Sequence, residues 1–406
     1  MFNPAKPTVM HIDLNSCFAT IEQQANPLLR GSPVAVAAYT TPRGCILAAS
    51  TEAKRFGVKT GMQVREGREL CSNLVILPSD PDKYRFVNRK LLSLLQTYRG
   101  DIEVKSIDEM VMKFQEGDLT SFAKEIKRRI KEEIGEWLTV SIGISTNRYL
   151  AKIASNLHKP DGLDIIWKEN IEETLGSLQL EELSGIKEGN GGRLRQHGIT
   201  TPLRMYAASA DMLKIAFRSK IGYDWWLMLH GWESSLYDYN GTKTVGHSFA
   251  LPKPYAIKDP RLHQILCQLV EKMGRRLRSY GFAACGIHIS CLFADHTFWN
   301  HGEKHVHTLI DTRDLYREAL RILLKAPNSP VRILAVSCFS LVTHEQLSFF
   351  GSSKKNLTSA LDNIADRWGE FSVYPARMLG TPQKVLDRIA FGGIRGLDKP
   401  IQTPLV

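Results

Sequence analysis

Apolar and polar positions change period several times along the chain, and each change predicts an element. Val9-Met10-His11-Ile12-Asp13-Leu14 is an apolar run broken by one acid and bounded by Pro7 and the polar Asn15-Ser16, which reads as a buried strand. A helix follows from Cys17-Phe18-Ala19-Thr20-Ile21-Glu22 and stops at Asn26-Pro27, before a second apolar run at Pro33-Val34-Ala35-Val36-Ala37. From Thr40 to Leu70 small and basic residues dominate, which predicts a small subdomain with little core of its own. Ile102–Ser106 alternates and Met110–Phe114 is apolar, so two strands joined at Ile107-Asp108-Glu109 form a hairpin. A Lys- and Glu-rich helix at 119–135, a strand at Leu138–Ile144 and an amphipathic helix through Lys152 to Leu157 follow. The order β-α-β, hairpin, α-β-α predicts a mixed sheet with helices packed on it, an α+β fold.

Beyond Asp161-Gly162 the pattern turns helical, and Leu183–Thr200 has the outline of a helix-hairpin-helix. A linker falls near Tyr239–Thr244. Residues 245–343 predict a separate α+β unit: a helix at 261–279, strands at 286–294 and 305–310, a helix at 312–325 and a strand at 331–340. The last 60 residues read as a mostly polar tail with one helical patch, Leu357 to Trp368.

Composition narrows the class. The chain has 406 residues, enough for about two to four domains at roughly 100–200 residues each. No stretch approaches the roughly 18 apolar residues of a membrane span, and the N-terminus has no export signal. Seven cysteines without a C-x-x-C pair suit a reducing cytoplasm. The net charge of +11 favours a polyanionic partner. Residues 245–340 hold 13 basic and 7 acidic residues, so about a quarter of the chain carries over half of that excess. Four histidines there, His296, His301, His305 and His307, lack the spacing of a zinc site.

Asp13, Asp108 and Glu109 are the candidate chemistry. Carboxylates within apolar strands must be paired, protonated or bound to metal. Hard oxygen ligands select Mg2+ or Mn2+. At a hairpin turn the strand alternation fails, so Asp108 and Glu109 both lean to one side. The alternative is that Asp13 caps a helix and the other two are exposed turn acids.

Met10–Glu22 with Asn26-Pro27, Ser106-Ile-Asp-Glu109, Ser141–Asn147 with Ala151–Ala154, and His158–Gly162 resemble, in order, the motifs of the Y-family of translesion DNA polymerases. The resemblance spans nearly the whole chain. It implies an α+β right hand: palm at 1–17 and 77–165, small fingers at 18–76, a helix-hairpin-helix thumb at 166–240, a linker at 241–244, an α+β little finger at 245–343 and a tail at 344–406. It implies low-fidelity synthesis across damaged bases in the bacterial cytoplasm, at the nucleoid, on primer-template DNA with deoxynucleoside triphosphates. Asp13, Asp108, Glu109 and the Leu14 carbonyl correspond to ligands of two Mg2+ ions. Phe18 matches the steric gate against a ribose 2′-hydroxyl, with Cys17 beside it, and Lys159 matches a triphosphate lysine. Gly185 and Lys187 fall in the thumb hairpin that faces a DNA phosphate.

Two features resemble the branch holding the catalytic subunit of bacterial polymerase V. Thr51-Glu52-Ala53-Lys54 stands where many members carry Tyr-x-x-Arg, and Asn15 stands where many carry a second aspartate. Lys54 then replaces a bidentate clamp by a point charge. This branch implies accessory proteins of the polymerase V type. Gln346-Leu347-Ser348-Phe349-Phe350 resembles the motif that bacterial polymerases present to the sliding clamp. The rival readings are a subunit silent without accessory proteins and a non-catalytic DNA- and clamp-binding scaffold.

Overall fold

The computed structural model describes residues 1–234, 244–343, 352–380 and residue 385, which fall into two compact units divided between 234 and 244. In the first unit β1 (Val9–Leu14) is followed by β2 (Val34–Ala37), β3 (Ile46–Ala49), β4 (Val75–Pro78), β5 (Asp101–Val104), β6 (Glu109–Lys113), β7 (Val140–Ser145) and β8 (Leu163–Ile165). Five of these form one mixed sheet in the order β5-β6-β1-β7-β8, with β1 antiparallel to both neighbours. β1 is central because all six of its residues are buried.

Its two faces are buried differently. Met10, Ile12 and Leu14 enter a core built with α1 (Cys17–Ala25), α4 (Pro81–Leu95) and α5 (Leu119–Arg129). Between α1 and α4 lie α2 (Thr51–Arg55) and α3 (Val64–Leu70), which pack with the small sheet β3-β2-β4 around mostly alanine and valine side chains. Val9 packs with Val111 and Ala151 of α6 (Arg148–Leu157), so the odd-numbered face of β1, carrying His11 and Asp13, looks toward that helix. The helix expected at 119–135 ends as an α-helix at Arg129 and continues as a π-turn, Ile130–Ile134.

Among the described residues five α-helices complete this unit: α7 (Ile171–Gly176), α8 (Glu188–Gln196), α9 (Pro202–Ala207), α10 (Ala210–Phe217) and α11 (Ile221–Leu229), sharing a core that includes Leu194, Met205, Leu213 and Trp225. No helix among the described residues is long and apolar enough to cross a membrane.

The second unit is a four-stranded antiparallel sheet, β11-β10-β12-β9, of β9 (Thr244–Tyr255), β10 (Ala283–Phe293), β11 (Phe298–Leu309) and β12 (Val331–Val342). It carries α12 (Pro260–Ser279) and α13 (Thr312–Leu323). β9 is absent from the sequence-based expectation because Pro252 and Pro254 interrupt its pattern; an edge strand tolerates them. The described part of the polar tail, 352–380, is folded rather than free. α14 (Ser352–Trp368) and the residues after it lie antiparallel to α12 through a ladder of ion pairs. Arg278 grips Asp362 through two bonds of 2.6 and 2.8 Å, Arg275 meets Asp366, and Lys272 meets Glu370 at 2.9 Å.

Candidate active site

Register brings two of the three expected carboxylates together. Asp13 on β1 lies directly opposite Glu109 on β6, and opposed residues of an antiparallel pair share one face. Asp108 is the last residue before β6 and Glu109 the first within it, so the turn ends between them. The turn is held from inside. Ser106 Oγ accepts from the Glu109 amide at 3.0 Å and donates to the Asp108 carboxylate, while Asn88 of α4 donates to the Ile107 carbonyl at 2.8 Å. The Asp108 carbonyl in turn accepts from the Leu14 amide at 2.9 Å, tying the turn to the end of β1.

Two lysines oppose these acids. Lys159 Nζ lies 2.7 Å from Asp13 Oδ2, and Lys152 Nζ lies 2.9 and 2.7 Å from the two oxygens of Glu109. Lys152 reaches the site because α6 runs against β7 at Gly143, where a Cβ would sit 2.0 Å from the Ala151 carbonyl oxygen. Lys159 is placed through Asn15. That side chain donates to Ser141 Oγ at 2.9 Å and accepts from the Asp161 amide at 2.8 Å, pinning the segment after Lys159 to the end of β1.

Burial sets the proton affinities. It pushes Asp13 up to about 6 against the opposing charge and hydrogen bond of Lys159, and raises Asp108 despite Ser106. Burial also acts to raise Glu109, but the charge and hydrogen bonds of Lys152 outweigh it and hold that carboxyl below its ordinary range. His11, 2% exposed, is lowered to about 3 by burial and is therefore neutral. Its Nε2 lies 3.7 Å from Glu109 Oε2.

Phe18 is a buried residue of α1, in the same core as Leu14 and Ile107. It stacks on Tyr84 with ring centroids 4.2 Å apart and planes 9° from parallel. Tyr84 is fixed by donating to Glu22 at 2.9 Å, and Lys83 holds the other oxygen of Glu22 at 2.6 Å. Cys17 is buried beside it, its thiol pushed well up by burial and then by Asp108 and Asp13. Thr51 opens α2, and Lys54 of that helix donates to Ser16 Oγ at 2.8 Å. Partial desolvation, then repulsion from Lys159, lowers the Lys54 pKa.

Gly185 and Lys187 lie apart from this cluster, before α8. Gly185 has φ +93°, a left-handed conformation that favours glycine, and Lys187 caps α8 in an extended conformation. The Ile186 amide is already taken by the Leu183 carbonyl at 2.9 Å. The segment Gln346–Phe350 lies outside the described residues, as does the expected linker up to 243.

Three groups are missing from the sequence-based site. Lys152 had its signal in the amphipathic period of α6, His11 in its period-two relation to Asp13, and Tyr84 had none, since nothing local links it to Phe18.

The donor set suits a divalent cation. Three buried or half-buried carboxylates offer hard oxygens, two with raised pKa, and both ring nitrogens of the buried His11 lack a hydrogen-bond partner. Among the described residues, one cluster of His, Cys, Asp or Glu side chains is tight enough to share an ion: His11, Asp13 and Glu109, with ligand atoms within 4.8 Å of one another.

Fold and site together define a carboxylate-centred, metal-dependent enzyme built on a mixed sheet. The model of the impB/mucB/samB family matches residues 12–156, and that of the family's C-terminal domain matches residues 242–349. A DNA polymerase IV of Pelotomaculum thermopropionicum is 31% identical over 393 residues, covering 93% of this chain and 96% of that protein. Two solved structures share the fold at lower identity. The Y-family DNA polymerase chimera Dbh-Dpo4(243-245)-Dbh matches with a TM-score of 0.69 at 23% identity, covering 83% of this chain and 99% of that one. The insertion ternary complex of Dbh DNA polymerase matches with a TM-score of 0.54 at 22% identity over the same shares. The chain belongs to the impB/mucB/samB family and is a Y-family, DNA-directed DNA polymerase.

Proposed function

We propose that this polymerase copies damaged templates with low fidelity, by nucleotidyl transfer at a site that holds two Mg2+ ions. The observation that carries the reading is the cluster of Asp13, Asp108 and Glu109, close enough that each carboxylate's charge is felt by its neighbours. When bound, the ions supply Lewis-acid activation of the primer 3′-hydroxyl and neutralise charge on the triphosphate. Asp13, Asp108, Glu109 and the Leu14 carbonyl are the residues that would hold them. Lys159 exchanges Asp13 for the triphosphate, Lys54 adds a second positive charge, and the Phe18 ring excludes a 2′-hydroxyl. The small side chains of the β3-β2-β4 subdomain, read as fingers, press little on the nascent pair, which leaves room for distorted bases.

In the same reading the five-stranded sheet is the palm (1–17 and 77–165), 18–76 the fingers, 166–240 the thumb and 245–343 the little finger. Gly185 and Lys187 lead into α8 at a thumb phosphate contact, with Lys187 meeting the phosphate directly. Gln346–Phe350 docks a sliding clamp, supported by its position directly after the little finger. The Thr51–Lys54 wording favours dependence on polymerase V-type accessory proteins as a second reading.

Primer extension across an abasic site and an alkylated base, with and without a clamp and a RecA-type filament, tests the proposal. Insertion opposite the lesions by the isolated chain, abolished by Asp108→Asn, is expected. Insertion that survives Asp108→Asn overturns the metal assignment, and faithful synthesis that halts at every lesion overturns bypass.

A further inference from the structure

One buried group at the site has no part in this reading. His11 sits two residues before Asp13 on the same face of β1, 2% exposed, with no hydrogen-bond partner at either ring nitrogen. Burying a polar ring without partners costs stability, which a phenylalanine there would avoid. Its Nε2 is 3.7 Å from Glu109 Oε2, and one atom each from His11, Asp13 and Glu109 lie within 4.8 Å of one another. One imidazole and two carboxylates make a donor set for a borderline cation of the zinc class rather than for Mg2+, which takes oxygens.

We propose that His11, Asp13 and Glu109 form a Zn2+ site that overlaps the Mg2+ site, sharing two carboxylates with it and adding one nitrogen. Asp108 stays outside it, engaged by Ser106. Because Asp13 and Glu109 serve both ions, Zn2+ and Mg2+ exclude one another. The inference rests on the reading of Asp13 and Glu109 as metal ligands.

Co2+, a coloured stand-in for Zn2+, is titrated into the full chain without DNA or nucleotide, with His11→Phe, His11→Gln and Asp13→Asn in parallel. The wild type is expected to show a visible band of nitrogen-bound Co2+, displaced by Zn2+ and by excess Mg2+ and absent from all three variants. Both His11 variants should weaken Zn2+ at that site by more than about 100-fold, the upper end of what losing an outer-shell partner costs. Equal bands and affinity in the wild type and the His11 variants overturn the proposal while leaving the carboxylate site intact. Equal binding by the wild type and Asp13→Asn overturns the carboxylate reading itself. Zinc X-ray absorption of the wild type at one equivalent needs no variant: one imidazole among oxygen donors supports the site, and none or several overturns it.

Discussion

Lys159→Met separates the two roles of Lys159, because it moves metal and nucleotide binding in opposite directions. In the free protein Lys159 Nζ is bonded to Asp13 Oδ2 at 2.7 Å, with the lysine 34% and the aspartate 10% exposed. A hydrogen bond between charged groups contributes about 1.5–3 kcal/mol, and solvent screening of the partly exposed lysine brings this below that range, to about 1–1.5 kcal/mol. A cation entering the site must break this pair. Without the lysine that cost and the local repulsion vanish, so divalent-ion affinity in the absence of nucleotide should rise about 5- to 10-fold. A triphosphate, by contrast, loses its lysine, and KM for the nucleotide should rise about tenfold or more.

The assay is calorimetry with Ca2+ on the nucleotide-free chain, paired with single-nucleotide insertion kinetics. It is run near pH 8.5, since losing Lys159 lets the Asp13 pKa climb further above 6 and a bound proton would mask the gain. Weaker Ca2+ binding by the variant would show that Lys159 supports the ion rather than competing with it. An unchanged nucleotide KM would remove Lys159 from the triphosphate.

Four further outcomes follow from the structure. Because burial raises Asp13 to about 6, ion binding below that pH must expel a proton, so Ca2+ affinity should fall by up to about tenfold per pH unit below 6 and level off above 7. A raised carboxyl pKa contributes stability below its unfolded value that is lost as pH rises through about 6. Metal-free Asp13→Asn should therefore melt above the wild type at pH 8 and with it near pH 4, and a lower melting point at pH 8 would contradict this. Phe18→Ala should admit ribonucleotides while sparing deoxynucleotide insertion, and an unchanged discrimination ratio would move the gate off the Phe18–Tyr84 stack. Asp362→Asn should cost about 1.5–3 kcal/mol of stability by breaking the two bonds to Arg278, measured by denaturant unfolding; no change would mean the tail ladder is not formed in solution.

What is legible in the residues is what local pattern controls. Asp13 stands out because an acid in an apolar strand demands a reason, and Asp108-Glu109 because they end a hairpin between two recognisable strands. The helices at 260–279 and 312–323 announce themselves by their period. Groups joined across the chain do not. Lys152 meets Glu109 only because Gly143 lets α6 press on β7, and Tyr84 meets Phe18 only through the packing of α4 on α1. Asn15 reads in the sequence as a missing carboxylate, yet it bridges Ser141 and the Asp161 amide, partners more than a hundred residues away that no local pattern signals. The ladder between α12 and α14 joins residues about ninety apart, and neither helix alone signals it.

The division of β1 into two faces ties stability to chemistry. Met10, Ile12 and Leu14 fill the core under α1, α4 and α5, while His11 and Asp13 take the opposite face, under α6 and its lysine. A slip of one residue would exchange these sets, placing an acid and an imidazole in the core and three apolar side chains at the site. The apolar set therefore holds the polar set in place: the burial that favours Met10 and Ile12 forces Asp13 into the poorly solvated position that raises its pKa. The same register sets Asp13 against Glu109 and leaves Asp108 at the turn, so each carboxylate's environment follows from which side of one strand the core occupies.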